Sequence, residues 1–143
     1  MTNKNITYKI NEPITEQEFI ALLSETSLGE RRPLADKERI AAMLEHTNLL
    51  VTAWADDKLV GVARSLTDFS FCCYLSDLAV SDRIQKSGIG KALISKTAEQ
   101  LHPQCRVILL AAPLAVSYYP KIGFEQHPSS WTLLAAELVL PAS

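Results

Sequence analysis

The chain has 143 residues, 48% apolar and 21% charged, which suits one domain with a sizeable core, expected over 1–143. A formal net charge of −2, from 14 basic and 16 acidic side chains, argues against the broad basic face of a nucleic-acid partner. No apolar run nears the roughly 20 residues of a membrane span, and MTNKNITYKI has no apolar signal core, so no membrane partner and a cytoplasmic location are expected.

Ile6 to Ile10 alternates like a short strand and stops at Asn11-Glu12-Pro13. Thr15 and Glu18 stand at capping-box spacing ahead of the apolar stripe Phe19, Leu22 and Leu23, which predicts a first helix. Ser24 to Leu34 holds a glycine, a proline and the pair Arg31-Arg32, and reads as a loop. Asp36 can cap a second helix carrying Ile40, Met43, Leu44 and Thr47 on one face. Three strands are expected next: Asn48 to Ala55, Lys58 to Thr67 across an Asp56-Asp57 turn, and Phe71 to Val80 after a turn at Asp68. A helix from Ile89 to about Leu101 leads into Arg106 to Ala112, whose near-continuous apolar run predicts a central strand covered on both faces. Pro113 breaks it, Leu114 to Lys121 reads as a short helix ended by Gly123, and one or two strands are expected from Trp131 to Leu140.

Cys72, Cys73 and Cys105 form neither a disulfide framework nor a C-x-x-C pair. Adjacent Cys72 and Cys73 on a strand point to opposite faces, so all three are expected to be buried or half-buried apolar residues, with no metal site. Trp54 and Trp131 are expected in the core, although both, with Arg64, are also candidates to line a cleft.

The informative stretch is Tyr74 to Leu101, YLSDLAVSDRIQKSGIGKALISKTAEQL. A strand gives way to a helix at two glycines, where the bare backbone and the helix N-terminus together suit a phosphate or pyrophosphate. A P-loop is excluded because Ala92 follows Gly90-Lys91 and Gln85 takes the first glycine position; a Rossmann fingerprint is excluded because Leu93 stands where its third glycine belongs. Gln85-Lys86-Ser87-Gly88-Ile89-Gly90 instead meets Q/R-x-x-G-x-G/A after Asp77-Leu78-Ala79-Val80. That run resembles the acetyl-CoA-binding motif of the GCN5-related N-acetyltransferase (GNAT) family. The element order resembles that family over essentially the whole chain: an α/β (α+β) fold, β-α-α-β-β-β-α-β-α-β-(β), with a mixed central sheet and helices on both faces.

The resemblance implies an enzyme that moves an acetyl group from acetyl-CoA to a primary amine by direct transfer in a ternary complex. The small size leans towards a small-molecule acceptor, and the family permits a monomer or a homodimer. It implies that the backbone of Leu78, Ala79 and Val80 meets the pantetheine and acetyl carbonyl, and that the amides from Gln85 through Lys86, Ser87, Gly88, Ile89 and Gly90 to Lys91 hold the pyrophosphate. It also implies that the strands at 71–80 and 106–112 run parallel and splay apart. Lys86 and Lys91 either touch phosphates or are solvated surface lysines. Ala115 to Phe124 is similar to the family's A-x-x-F-Y-x-K-x-G-F pattern, which implies Tyr119 as the acid that protonates the departing thiolate; a buried hydrogen-bonded tyrosine is the plainer alternative. Tyr118 takes the usual Phe position and is expected in the core, and Ala112-Pro113 replaces a common Asn. Asp77 is the nearest carboxylate to the expected reaction centre, either as base or as a structural partner to a neighbouring loop; His127, Glu30 and Asp68 are weaker candidates. Arg31, Arg32 and Tyr74 are the candidates for acceptor binding, with a solvated arginine pair as the alternative. A non-catalytic acyl-CoA-binding module on the same fold is the rival reading.

Overall fold

A computed structural model describes residues 5–84 and 87–139. The chain falls into two compact units, Met1–Leu110 and Ala111–Ser143. The first carries a five-stranded sheet in the order β1-β2-β3-β4-β5: β1 Ile6–Ile10, β2 Leu49–Ala55, β3 Lys58–Thr67, β4 Cys72–Val80 and β5 Arg106–Ile108. Neighbours are antiparallel except β4 and β5, which run parallel. Three helices flank it: α1 Glu16–Ser24, α2 Lys37–Glu45 and α3 Ile89–Glu99. Among the described residues no helix is long and apolar enough to cross a membrane.

Local chemistry sets these bounds. The Thr15 hydroxyl accepts from the Glu18 amide at 3.0 Å while the Glu18 carboxylate accepts from the Thr15 amide at 2.9 Å, so α1 opens on the reciprocal capping box that its spacing predicts. Asp36 caps α2 by accepting from the Arg39 amide at 3.2 Å. At the β3–β4 turn one oxygen of Asp68 accepts from the amides of Ser70, Phe71 and Cys72 at 2.8–3.0 Å, and these bonds hold its carboxyl below the usual range. The expected loop at 24–34 contains a 3₁₀ turn, Ser27–Arg31, whose entry Thr26 caps.

Each sheet face closes its own core. Leu49, Val51, Ala53, Val60, Ala63, Cys73 and Leu75 pack with Ile89 and Leu93 of α3. On the other face Trp54, Leu59, Val62 and Ala79 pack with Phe19, Leu22 and Leu23 of α1 and Ile40 of α2. Gly61 lets α3 seat closely: a Cβ there would meet Leu93 Cδ1 at 3.1 Å, Ile89 Cγ2 at 3.2 Å and Ala53 Cβ at 3.3 Å. Gly61→Val is expected to overpack this contact and cost about 1–3 kcal/mol in urea unfolding. An unchanged midpoint would show that α3 does not rely on close approach there.

Several expectations need correction. The apolar run at 106–112 is no covered central strand: β5 is three residues long, lies last in the sheet order, and leaves Ile108 46% and Leu110 52% exposed. Continuous apolarity reported hydrophobic content without reporting position in the sheet. Cys72 is exposed while Cys73 is fully buried, so alternation holds but burial of all three cysteines does not.

In the second unit a 3₁₀ turn, Pro113–Ala115, and a single-turn helix α4, Tyr118–Lys121, replace the one helix expected over 114–121. Gly123 follows at φ +103°, the left-handed stop that glycine supplies. No strand follows β5 among the described residues: Ala135–Glu137 is a 3₁₀ turn. Ala135, Ala136 and Glu137 interrupt the run with residues of poor strand propensity. Trp131, expected in the core, is 90% exposed.

Candidate active site

Gly88 joins the β4–α3 connection to the helix. It is the N-cap of α3 at φ +81°, ψ 4°, a left-handed conformation that a side chain strongly disfavours. A Cβ placed there meets nothing within 4 Å, so the backbone faces open space. The first intrahelical bond runs from the Ala92 amide to the Gly88 carbonyl at 3.0 Å, which leaves the amides of Ile89, Gly90 and Lys91 ahead of the hydrogen-bonded ladder. No side chain caps this end. The arrangement fits an anionic group that fills the place of a cap and meets the positive end of the dipole. Ile89 is buried in the core beneath, Lys91 is exposed, and the Ser87 hydroxyl donates to the Ile84 carbonyl at 2.6 Å. Gln85 and Lys86 lie outside the described residues.

The strand that feeds this loop is bulged. Against β3 the register moves from Arg64↔Asp77 to Ser65↔Leu75, so Ser76 is the extra residue. The bulge resets the alternation. Cys73 and Leu75 belong to the α3-side core, whereas Asp77 meets arginines on the α1–α2 side and Ala79 joins that core; Leu78 and Val80 then pack towards α3. The parallel ladder with β5 runs only from Cys72↔Arg106 to Tyr74↔Ile108, and β4 continues past the end of β5. The two strands run parallel, as the family resemblance implies, and their paired length is confined to these three residues.

Asp77 is 1% exposed and sits between two guanidiniums. Arg32 Nε donates to Oδ1 at 2.5 Å and Arg64 Nε donates to Oδ2. Arg32 also donates to the Ser76 carbonyl at 2.7 Å and to the Arg31 carbonyl at 2.9 Å. Arg64, itself 5% exposed, donates to the Ser76 hydroxyl at 3.0 Å and to the Met43 carbonyl and Thr47 hydroxyl, both at 3.3 Å. Both carboxylate oxygens are therefore engaged by cations, and the cluster ties the end of the α1–α2 connection and the end of α2 to the bulge. Of the two readings of Asp77, this geometry supports the structural partner. It also commits the Arg32 guanidinium to the protein, while Arg31 and Tyr74 stay exposed. Charged residues inside the apolar strands KLVGVARSLT and CCYLSDLAV were the signal for this cluster, since buried charges need partners. The roles of Ser76 and Thr47 had no such signal.

Tyr119 lies in α4, half-buried, its ring edge-on to Tyr118 at 5.3 Å and to Phe124 at 5.5 Å between centroids. Its carbonyl accepts from the amides of Ile122 and Phe124, both at 3.1 Å, closing the turn through Gly123. Burial pushes the Tyr119 phenol above its ordinary value, and the neighbouring Tyr118 phenol adds to the rise. Tyr118 is likewise raised by burial. His127 accepts from the Ser129 amide at 3.2 Å in its own exposed turn.

A mixed sheet in which β4 is bulged, outruns its parallel neighbour β5 and leads to a glycine-capped helix, whose open N-terminus suits an anion, places the chain among the α/β proteins. The sequence model of the acetyltransferase (GNAT) domain matches residues 16–132, and the chain belongs to the GNAT family of acetyltransferases. It is 30% identical over 104 residues to the uncharacterized N-acetyltransferase ycf52 of Pyropia yezoensis, covering 68% of this chain and 58% of that protein. To the chloroplastic GCN5-related N-acetyltransferase 1 of Arabidopsis thaliana it is 28% identical, over 67% of this chain and 51% of that one. The chain thus spans little more than half the length of these curated relatives. Among solved structures, a GNAT-family acetyltransferase of Streptococcus pneumoniae aligns at TM-score 0.73 and 22% identity, covering 90% of this chain and 98% of that one. An aminoglycoside acetyltransferase from an uncultured soil metagenomic sample aligns at TM-score 0.64 and 22% identity, over 90% and 96%. At such identities the likeness is one of fold.

Proposed function

We propose that the chain acts as one acetyltransferase domain that transfers the acetyl group of acetyl-CoA to a primary amine of a small molecule by direct attack in a ternary complex. The observation that carries this reading is Gly88, left-handed at the head of α3 with open space where a side chain would stand. The amides of Ser87 to Lys91, with those of Gln85 and Lys86, take the pyrophosphate, and the backbone of Leu78, Ala79 and Val80 takes the pantetheine and the thioester carbonyl. The amine nitrogen bonds to the carbonyl carbon as the C–S bond breaks. The amine releases its proton to water, and Tyr119 gives its phenol proton to the thiolate. Asp77 serves as counter-ion to Arg32 and Arg64 in place of a base, and Arg31 and Tyr74 are left to meet the acceptor.

The test is a thermal-shift titration with acetyl-CoA, CoA, ATP and NAD in parallel. Acetyl-CoA and CoA at about 100 times the dissociation constant should add roughly 2.7 kcal/mol, with no response to ATP or NAD. Gly88→Asp should abolish the shift, because it forces a side chain into φ +81° and sets a carboxylate against the pyrophosphate. No response of the unsubstituted protein to either CoA species would overturn the reading.

A further inference from the structure

Glu25, the residue that ends α1, is the meeting point of four groups from two distant segments. Its carbonyl accepts from the Asp82 amide at 3.2 Å, and its Oε1 accepts from the Ser81 hydroxyl at 3.2 Å. Its Oε2 pairs with the Arg83 guanidinium and with Lys58 Nζ at 3.6 Å. Ser81 is 1% exposed, and its amide donates to the Val60 carbonyl at 2.8 Å. From there the bonds lead towards the glycine loop. The Ser81 hydroxyl accepts from the Arg83 amide at 3.4 Å, the Ile84 amide donates to the Ser81 carbonyl at 3.1 Å, and the Ser87 hydroxyl donates to the Ile84 carbonyl. The 3₁₀ turn Asp82–Ile84 that leads towards Gly88 is thus fastened to the end of α1 through the carbonyl and the carboxylate of one residue.

We infer that Glu25 is a positioning residue for the anion-binding loop, acting through Ser81 and Arg83 to hold the turn that aims Gly88 and the first amides of α3. This rests on the reading of that loop as the acetyl-CoA pyrophosphate site. Charge makes the inference sharp. A carboxylate close to a site for a polyanion opposes the ligand by simple Coulomb repulsion, so removing it should strengthen binding if electrostatics were all it did. If instead it positions the loop, removing its charge weakens binding although the local field becomes more favourable. The two accounts differ in sign.

Calorimetric titration of acetyl-CoA into the full chain, at a temperature where every variant is folded, separates them. Glu25→Gln keeps the shape and removes the charge, and should bind about tenfold more weakly, the weight of one charge-assisted hydrogen bond. Thr15→Ala is the control: it weakens α1 at its opposite end, away from the turn, and should leave the affinity unchanged while lowering the melting temperature. Affinity of Glu25→Gln within about twofold of the unsubstituted chain, or tighter, overturns the inference. So does an equal loss in Thr15→Ala, which would trace the effect to general weakening of the helix. Absence of binding by the unsubstituted chain would instead overturn the acetyl-CoA reading, and this inference with it.

Discussion

Replacing Asp77 by alanine is expected to remove about 3–5 kcal/mol of stability, a large share of what a domain of this size possesses. The carboxylate is 1% exposed and each oxygen faces a guanidinium, so its loss strands two cations, one of them, Arg64, only 5% exposed. An unpaired buried charge costs far more than the pair contributed, because the low-dielectric surroundings no longer hold a compensating partner. Urea unfolding monitored by circular dichroism reads this directly. Arg32→Met is the milder companion: Arg32 is the more exposed partner and Asp77 keeps Arg64, so a loss of about 1–3 kcal/mol is expected. The pair of variants also separates the two roles open to Asp77. A general base would tolerate replacement in the fold and lose only turnover. An anchor loses stability first. A cost below about 1 kcal/mol for Asp77→Ala would sink the anchor and return the residue to the list of bases.

What was legible in the sequence divides along a physical line. Signals carried by neighbours in the chain came through. The Thr15–Glu18 box needs only three residues' spacing, and it opens α1 as expected. The Asp36 cap, the Asp56-Asp57 turn and the glycine at the head of α3 are equally local, and each sits where the spacing puts it. Signals that depend on the partner across the sheet did not. Straight alternation along CCYLSDLAV puts Cys73, Leu75, Asp77 and Ala79 on one face, which would drop a carboxylate into an apolar core. The extra residue at Ser76 breaks that parity and turns Asp77 to the arginine side. A bulge is a property of two strands in register, and nothing in one strand announces it. The destination of Arg32, forty-five residues from its carboxylate, was hidden for the same reason. So was the standing of 106–112: hydrophobicity identified a strand, but the count of neighbours on either side belongs to topology.

Tyr119→Phe is expected to lower kcat by about 10²–10⁴, the usual worth of a positioned proton donor, while acetyl-CoA affinity stays as it was. The substitution is conservative in packing, since phenylalanine keeps the edge-on contacts to Tyr118 and Phe124, so the folded state should survive it. The pH dependence gives a second handle. Burial, and after it the Tyr118 phenol, raise the Tyr119 phenol above its ordinary value of about 10, so the donor form persists throughout the neutral and mildly alkaline range. Any alkaline fall in kcat due to this group should therefore begin only above about pH 10, and should vanish in the phenylalanine variant. The same shift acts on stability with a definite sign. The folded state binds the phenolic proton more tightly than the unfolded state, so the stability contributed is fully present below the unfolded value and is lost as pH rises through the folded one. Alkaline unfolding should accordingly be less steep in Tyr119→Phe than in the unsubstituted chain. Steady-state rates with the best acceptor from a panel of primary amines, measured from pH 7 to about pH 10.5, carry the decision. A kcat that Tyr119→Phe leaves unchanged would remove the phenol from the chemistry, since a ring that only packs has no reason to move turnover. A fall in kcat at constant acetyl-CoA affinity would instead assign the Tyr119 phenol to the proton-transfer step.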